Sequence, residues 1–175
     1  VTWRWVYGLI LLNVALYAVG FSVPLADAWW QLVPYGFSHA TWWHLALNMV
    51  GLLTLGLALE RRKGGPWLAA FWFACLVGAG ALQLALGDGR PVVGASGAVF
   101  GLLVAYAIHW PEKRVLLLVL PMTARALVYT YLTFEIIFAV TGYEPAVAHW
   151  CHIGGALTGA VIMFISRNRK PAKFV

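Results

Sequence analysis

Charge is what this sequence has least of. Only 10% of its 175 residues are Asp, Glu, Lys or Arg, against roughly 25% in soluble domains. With 62% of the residues hydrophobic, that scarcity excludes a water-soluble globule. Acidic residues number only six, which excludes an acidic disordered tail. The two cysteines, Cys75 and Cys151, both fall inside apolar runs, which excludes a disulfide scaffold. A His-Glu-x-x-His sequence is missing, and with it the signature of the zinc proteases. What is present is apolar and aromatic, with 10 Trp and 18 Gly. The composition points to several membrane spans in one domain, residues 1–175.

The net charge is +6. In a soluble protein this would raise the question of nucleic acid, but here it reads as topology and no nucleic-acid partner is expected. The sequence opens at Val1 without Met, so a trimmed N-terminus is expected, and its first apolar run continues into many others, unlike a cleavable signal peptide.

A helix needs about 20 apolar residues to cross roughly 30 Å of hydrocarbon. Six candidates lie within Trp5–Ala26, Ala28–Leu59, Gly64–Gly87, Pro91–Pro111, Ala126–Tyr143 and Pro145–Ser166. The second stretch is too long for one span. Its opening, Trp29 to Gly36, is aromatic-rich and broken by Pro34, which suits an interfacial segment in the first outer loop. Val115–Ala124, split by Pro121, reads as an interfacial or partly immersed connection. Of the twelve basic residues, all but Arg90 flank one side of this map: Arg4, Arg61, Arg62, Lys63, Lys113, Arg114, Arg125, Arg167, Arg169, Lys170 and Lys173. The positive-inside rule then predicts six spans with both termini cytoplasmic. The expectation is an all-α membrane protein in the cell's inner membrane, its partner the lipid bilayer.

Polar groups are costly within a bilayer, and few are found there: Asn13, His44, Asn48, Gln83, Ser96, Glu135, His149 and His152. Asn13 and Gln83 stand alone and read as interhelical hydrogen-bonding groups. Ser96 lies in Gly94-Ala95-Ser96-Gly97, where a helix beginning at the serine leaves its hydroxyl at a helix N-terminus. From Ser96 to Trp110 is about 22 Å of helix, from His152 to Ile165 about 21 Å and from Asn48 to Glu60 about 20 Å. The three side chains therefore share one depth below the outer surface, with His44 a turn further out. A histidine within reach makes a serine nucleophilic. His44 and Asn48, spaced i and i+4, share a helix face and can both donate to an oxyanion, with the Ser96 N–H as a third donor. Gly97 and Gly101 also form a Gly-xxx-Gly seam matched by Gly155 and Gly159, and close packing along it brings Ser96 to His152.

These residues resemble the rhomboid family of intramembrane serine proteases. The likeness rests on His-x-x-x-Asn at His44–Asn48, Gly-x-Ser-Gly at Gly94–Gly97 and His-x-Gly-Gly at His152–Gly155, on spans two, four and six, and extends over essentially the whole chain. It implies a six-helix bundle, a Ser96–His152 dyad with no acidic third member, His44 and Asn48 as oxyanion donors, and Phe100 packed against His152. It also implies transmembrane protein substrates, entry near spans two and five, a cavity open to the outer side, and no cofactor or metal. Where the family often carries Trp-Arg in its first outer loop, this chain has Trp30-Gln31, and Cys151 stands where alanine is common; Cys151 reads as a small core residue.

His39 reads as a structural residue bonding the loop backbone. His149, spaced i and i+3 from His152, supports the site; a metal between the two is disfavoured because no carboxylate ligand shares their layer. Glu135 faces protein or water, as a gate or a packing group. Asp27 and Asp88 both lie in loops, which excludes an aspartyl intramembrane protease. The remaining alternatives are an inactive rhomboid-like protein that binds membrane helices and a proton-coupled transporter using His44, His149, His152 and Glu135.

Overall fold

The computed structural model describes residues 4–117, 120–144 and 146–167. The first helix, α1 (Arg4–Ala18, 15 residues), starts on a buried carboxylate. Glu60 accepts from the backbone N–H groups of Trp5 (3.3 Å) and Val6 (3.1 Å), supplying the acceptors that a helix N-terminus lacks and a charge that suits its dipole. The helix fills the first part of the stretch Trp5–Ala26 in which a span is expected. At Gly20, φ is +72°, and the bonds Gly20 N–H to Tyr17 O (3.0 Å) and Phe21 N–H to Leu16 O (2.9 Å) close a Schellman motif. Beyond it Leu25 forms a two-bond antiparallel bridge with Val92, so the ends of two apolar stretches meet as extended backbone.

The aromatic stretch after Ala28 folds as two 3₁₀ turns, Trp29–Leu32 and Pro34–Phe37. Gln31 organises the first: its Oε1 accepts from the N–H groups of Ala26 (2.9 Å), Asp27 (3.2 Å) and Ala28 (3.1 Å). This loop is thus anchored through glutamine, where the resemblance leads to an expectation of arginine. Trp29 and Trp30 stay exposed, as an interfacial segment requires.

Thr41 caps α2 (Trp42–Lys63), its Oγ1 accepting from the His44 N–H at 3.1 Å. Then come α3 (Gly65–Leu86), α4 (Ser96–His109), a hairpin of β1 (Arg114–Leu117) with β2 (Leu120–Thr123), α5 (Ala124–Thr141) and α6 (His149–Arg167). The connection expected to be interfacial is therefore an antiparallel ladder, with Arg114 opposite Thr123 and Val115 opposite Met122. Pro121 is accommodated because a two-stranded ribbon has two edges. Helices α2, α3, α5 and α6 are long and apolar enough to cross a membrane, while α1 and α4 are shorter apolar helices. This is a multi-pass helical membrane bundle, as the composition requires.

The short α4 is the hub, packing against α2, α3, α5 and α6. At 14 residues it spans about 21 Å, so its first residue lies sunk within the bundle. Its other end is tied to α2, where Arg62 Nε donates to His109 Nδ1 at 3.1 Å, and nearby Arg125 pairs with Glu112 at 2.8 Å. Arg90 pairs instead with Asp88 at 3.0 Å in the α3–α4 loop. Arg169, Lys170, Lys173 and Pro145, the expected first residue of the sixth span, lie outside the described residues.

Candidate active site

Ser96 is the first residue of α4, as the small residues around it predict. The approach to it is set by Gly94, with φ +120°, whose N–H donates to Tyr35 O at 3.0 Å. A Cβ there would lie 2.5 Å from His44 Cε1 and 2.6 Å from His44 Nε2, so only glycine lets that ring lie over the loop. Tyr35 is the post behind it: fully buried, it donates to Leu76 O at 2.9 Å and lies 3.4 Å from Cys151 Sγ. Burial raises the pKa of its hydroxyl well above the ordinary tyrosine value, so it remains a neutral donor.

The glycine seam does what its spacing implies. A Cβ on Gly155 would run into the Gly97 carbonyl, and one on Gly159 would lie 2.8 Å from Gly101 O, so α4 and α6 touch backbone to backbone. That contact brings His152 Nε2 to 2.8 Å from Ser96 Oγ. Phe100, one turn along α4, stacks on the His152 ring with centroids 4.4 Å apart and planes 11° apart, while Tyr131 of α5 meets Phe100 edge-on at 5.5 Å.

From α2, His44 and Asn48 lie on the helix face that meets the start of α4, the same face on which Gly51 abuts Val99. Asn48 is buried, and its Nδ2 donates to His44 O at 2.9 Å; an amide carries two N–H groups, so one is left over from that bond. The structure thus gathers Ser96, His152, Phe100, Gly94 and His44 at one point, with Asn48 on the adjoining helix face.

The resemblance implied no acidic group beside the histidine, and here the structure differs. Glu135, on the inward face of α5, contacts His152 Nδ1 through Oε1 at 2.9 Å and His149 Nδ1 through Oε2 at 2.6 Å. His149 Nε2 lies 3.1 Å from Tyr143 O. All four ring nitrogens of these two histidines are therefore engaged, and they do not converge on a common point as ligands of one metal would. The i, i+3 spacing of the histidines and the lone acid in a span were visible in the sequence. Their junction was not, because it depends on how α5 rotates against α6.

Other polar groups divide. Gln83 bridges helices as expected, its Oε1 accepting from the Cys151 N–H at 3.1 Å, and Cys151 is buried in the core. Asn13 corrects its expectation: its Nδ2 turns back to Leu9 O in the same helix at 2.8 Å, and its Oδ1 has no hydrogen-bond partner among the described residues. His39 meets the loop backbone at Phe37 as expected, though loosely. Its ring sits edge-on to His44, centroids 5.2 Å apart, and among the described residues neither ring nitrogen makes a well-formed hydrogen bond. Burial, then the neighbouring His44, lower its pKa from 6.5 to about 4. A histidine kept neutral in the folded state loses stability once the unfolded chain takes up its proton. Thermal stability in detergent should therefore decline as pH falls from about 6.5 to about 4, and His39→Gln should flatten that decline; an identical slope in the variant would contradict it.

A family model for the Rhomboid domain matches residues 26–169, a range containing every residue of this site. The chain belongs to the rhomboid family. It is 30% identical to Rhomboid-like protein 11, chloroplastic, of Arabidopsis thaliana over 91% of this chain and 64% of that protein. It is 27% identical to Rhomboid protein 1, mitochondrial, of Saccharomyces cerevisiae, covering 69% of this chain and 41% of the relative. With the Rhomboid protease AarA of Providencia stuartii it shares 25% identity over 86% of this chain and 60% of the relative. This rhomboid chain thus spans between about two fifths and two thirds of the length of these relatives.

Proposed function

We propose that this rhomboid is an intramembrane serine endopeptidase that cleaves transmembrane segments of other proteins. The observation that carries the reading is the 2.8 Å contact between Ser96 Oγ and His152 Nε2, with Phe100 stacked on the imidazole. Ser96 Oγ attacks the scissile carbonyl carbon as its proton passes to Nε2. The tetrahedral oxyanion draws on the Ser96 N–H, free of an intrahelical acceptor at the start of α4, and on His44 and Asn48. Collapse breaks the C–N bond, and His152 returns the proton to the leaving amine. Water, deprotonated by His152, then opens the acyl-enzyme. The name of the protease AarA supports this assignment. The basic cluster supports cytoplasmic termini, with the serine end facing the outer side of the inner membrane.

The two alternatives fare less well. A helix-binding protein without catalysis has no use for a serine bonded to a histidine, and a proton path does not need that serine flanked by glycines.

The test is cleavage of a model transmembrane substrate by the purified protein in liposomes. Two new fragments with a single junction inside the span are expected, with insensitivity to chelators; an intact substrate, or loss of cleavage on metal removal, overturns the reading. Asn48→Ala should lower turnover by about 10²–10³, the usual cost of one oxyanion donor. Unchanged turnover removes Asn48 from the site.

A further inference from the structure

A carboxylate within a membrane helix is expensive unless charge and hydrogen bonds compensate it. Glu135 is about nine-tenths buried, yet it sits beside the histidine that the proposed chemistry uses. We propose that Glu135 is a positioning residue for that chemistry: its charge offsets the imidazolium formed on His152, and His149 holds it in place. This rests on the Ser96–His152 reading and replaces the two-residue dyad with a chain running Ser96, His152, Glu135, His149.

Hydrogen counting supports it. The Tyr143 carbonyl can only accept, so His149 Nε2, 3.1 Å away, carries a hydrogen. Its Nδ1 faces Glu135 Oε2 at 2.6 Å, a distance that requires a proton between the two atoms. Whether that proton rides on nitrogen or oxygen, the His149–Glu135 pair is neutral overall, which explains how an acid resides at this depth. Tyr131 and Cys151 also lie beside the carboxylate, but neither carries positive charge, so His149 is the neutralising group.

The second oxygen, Oε1, is left for His152 Nδ1 at 2.9 Å. It selects the tautomer with hydrogen on Nδ1 and leaves Nε2 bare to accept the serine proton, 2.8 Å away. When that proton arrives His152 becomes a cation, and the short bond on the far side lets the shared proton settle on His149, exposing the full charge of Glu135. His44 also interacts with His152, but an imidazole cannot carry negative charge there and offers no such compensation. The same logic governs soluble triads, where the acid orients the imidazole and stabilises its cation.

Glu135→Gln isolates the charge, because a glutamine in the same pose accepts from His152 with its oxygen and donates to neutral His149 with its amide. In the liposome assay kcat should fall by about 10²–10⁴, with KM and melting temperature little changed; the upper figure is what exchanging the acid for its amide costs in a soluble triad, where the tautomer is lost as well. Glu135→Asp against Glu135→Asn repeats the comparison one methylene shorter, and the aspartate should be at least about tenfold faster. Independently of turnover, ¹⁵N spectra of the wild-type protein should show His152 protonated on Nδ1. A Glu135→Gln kcat within twofold of wild type, equal Asp and Asn variants, or an Nε2-protonated His152 overturns the proposal. If Ser96→Ala is inactive while Glu135→Gln is fully active, only this inference falls; if Ser96→Ala is active, the protease reading falls with it.

Discussion

Ser96→Ala and His152→Ala should each lower turnover on a transmembrane substrate by about 10⁴–10⁶, and the double variant should be little worse than either. Nucleophile and base act as a unit, so removing one already forfeits what the pair supplies. What survives is binding and the oxyanion donors. Neither change should unfold the protein. Ser96 contributes one hydroxyl at a helix start, and His152→Ala vacates a ring that stacks on Phe100 while α6 stays fixed to α4 through Gly155 and Gly159 and to α3 through Gly154. Thermal unfolding in detergent should therefore move by only a few degrees, against a loss of activity of several orders of magnitude. A Ser96→Ala protein that cleaves at the wild-type rate contradicts the assignment.

The second large effect comes from a methyl group. Gly155→Ala should destabilise the bundle by about 1–3 kcal/mol, the usual cost of overpacking a tight contact, and Gly155→Val by more. The groups that a new Cβ meets are backbone atoms of Gly97, which cannot rotate away, so α6 must move off α4. Because Ser96 and His152 sit on those two helices, the same movement lengthens their contact, and an error of about 1 Å can cost 10²-fold in rate. Gly8 in α1 is the control. A Cβ there meets nothing within 4 Å, so Gly8→Ala should stabilise by about 0.5–1 kcal/mol through helix propensity alone. Melting temperatures of the two alanine variants should therefore move in opposite directions, and only Gly155→Ala should lose cleavage rate. Gly155→Ala with wild-type stability and rate would show that the seam is looser than its geometry implies.

Much of this was legible in the sequence where small residues, helix periodicity and the expense of polar groups in lipid all act locally. The short helix beginning at Ser96 followed from its glycines, and its meeting with His152 followed from a Gly-xxx-Gly pattern repeated on two spans. The ring of Phe100 lies where the family resemblance puts it. What was not legible has a common cause. Where α1 ends depends on Gly20 closing a Schellman motif, which competes with an apolar run that continues past it. The β1–β2 ladder forms in a stretch whose apolar residues carry neither a clear helical nor a clear strand period. Asn13 finds its acceptor four residues back in its own helix, a choice that hydropathy does not reveal. Glu135 was conspicuous as the one acid inside a span, but its partners depend on the azimuth of α5 against α6. For that reason the sequence alone suggests a gate or packing role, while the structure joins it to both histidines.

The central claim is that Ser96 is a nucleophile activated by His152. A fluorophosphonate probe tests it without any knowledge of the natural substrate, since only an activated serine is labelled readily. Incubated with the folded, detergent-solubilised protein, the probe should attach to one site, mapped by peptide mass spectrometry to Ser96, and labelling should be lost in Ser96→Ala and His152→Ala. Failure of the wild-type protein to react, or equal labelling of the His152→Ala protein, would contradict the account.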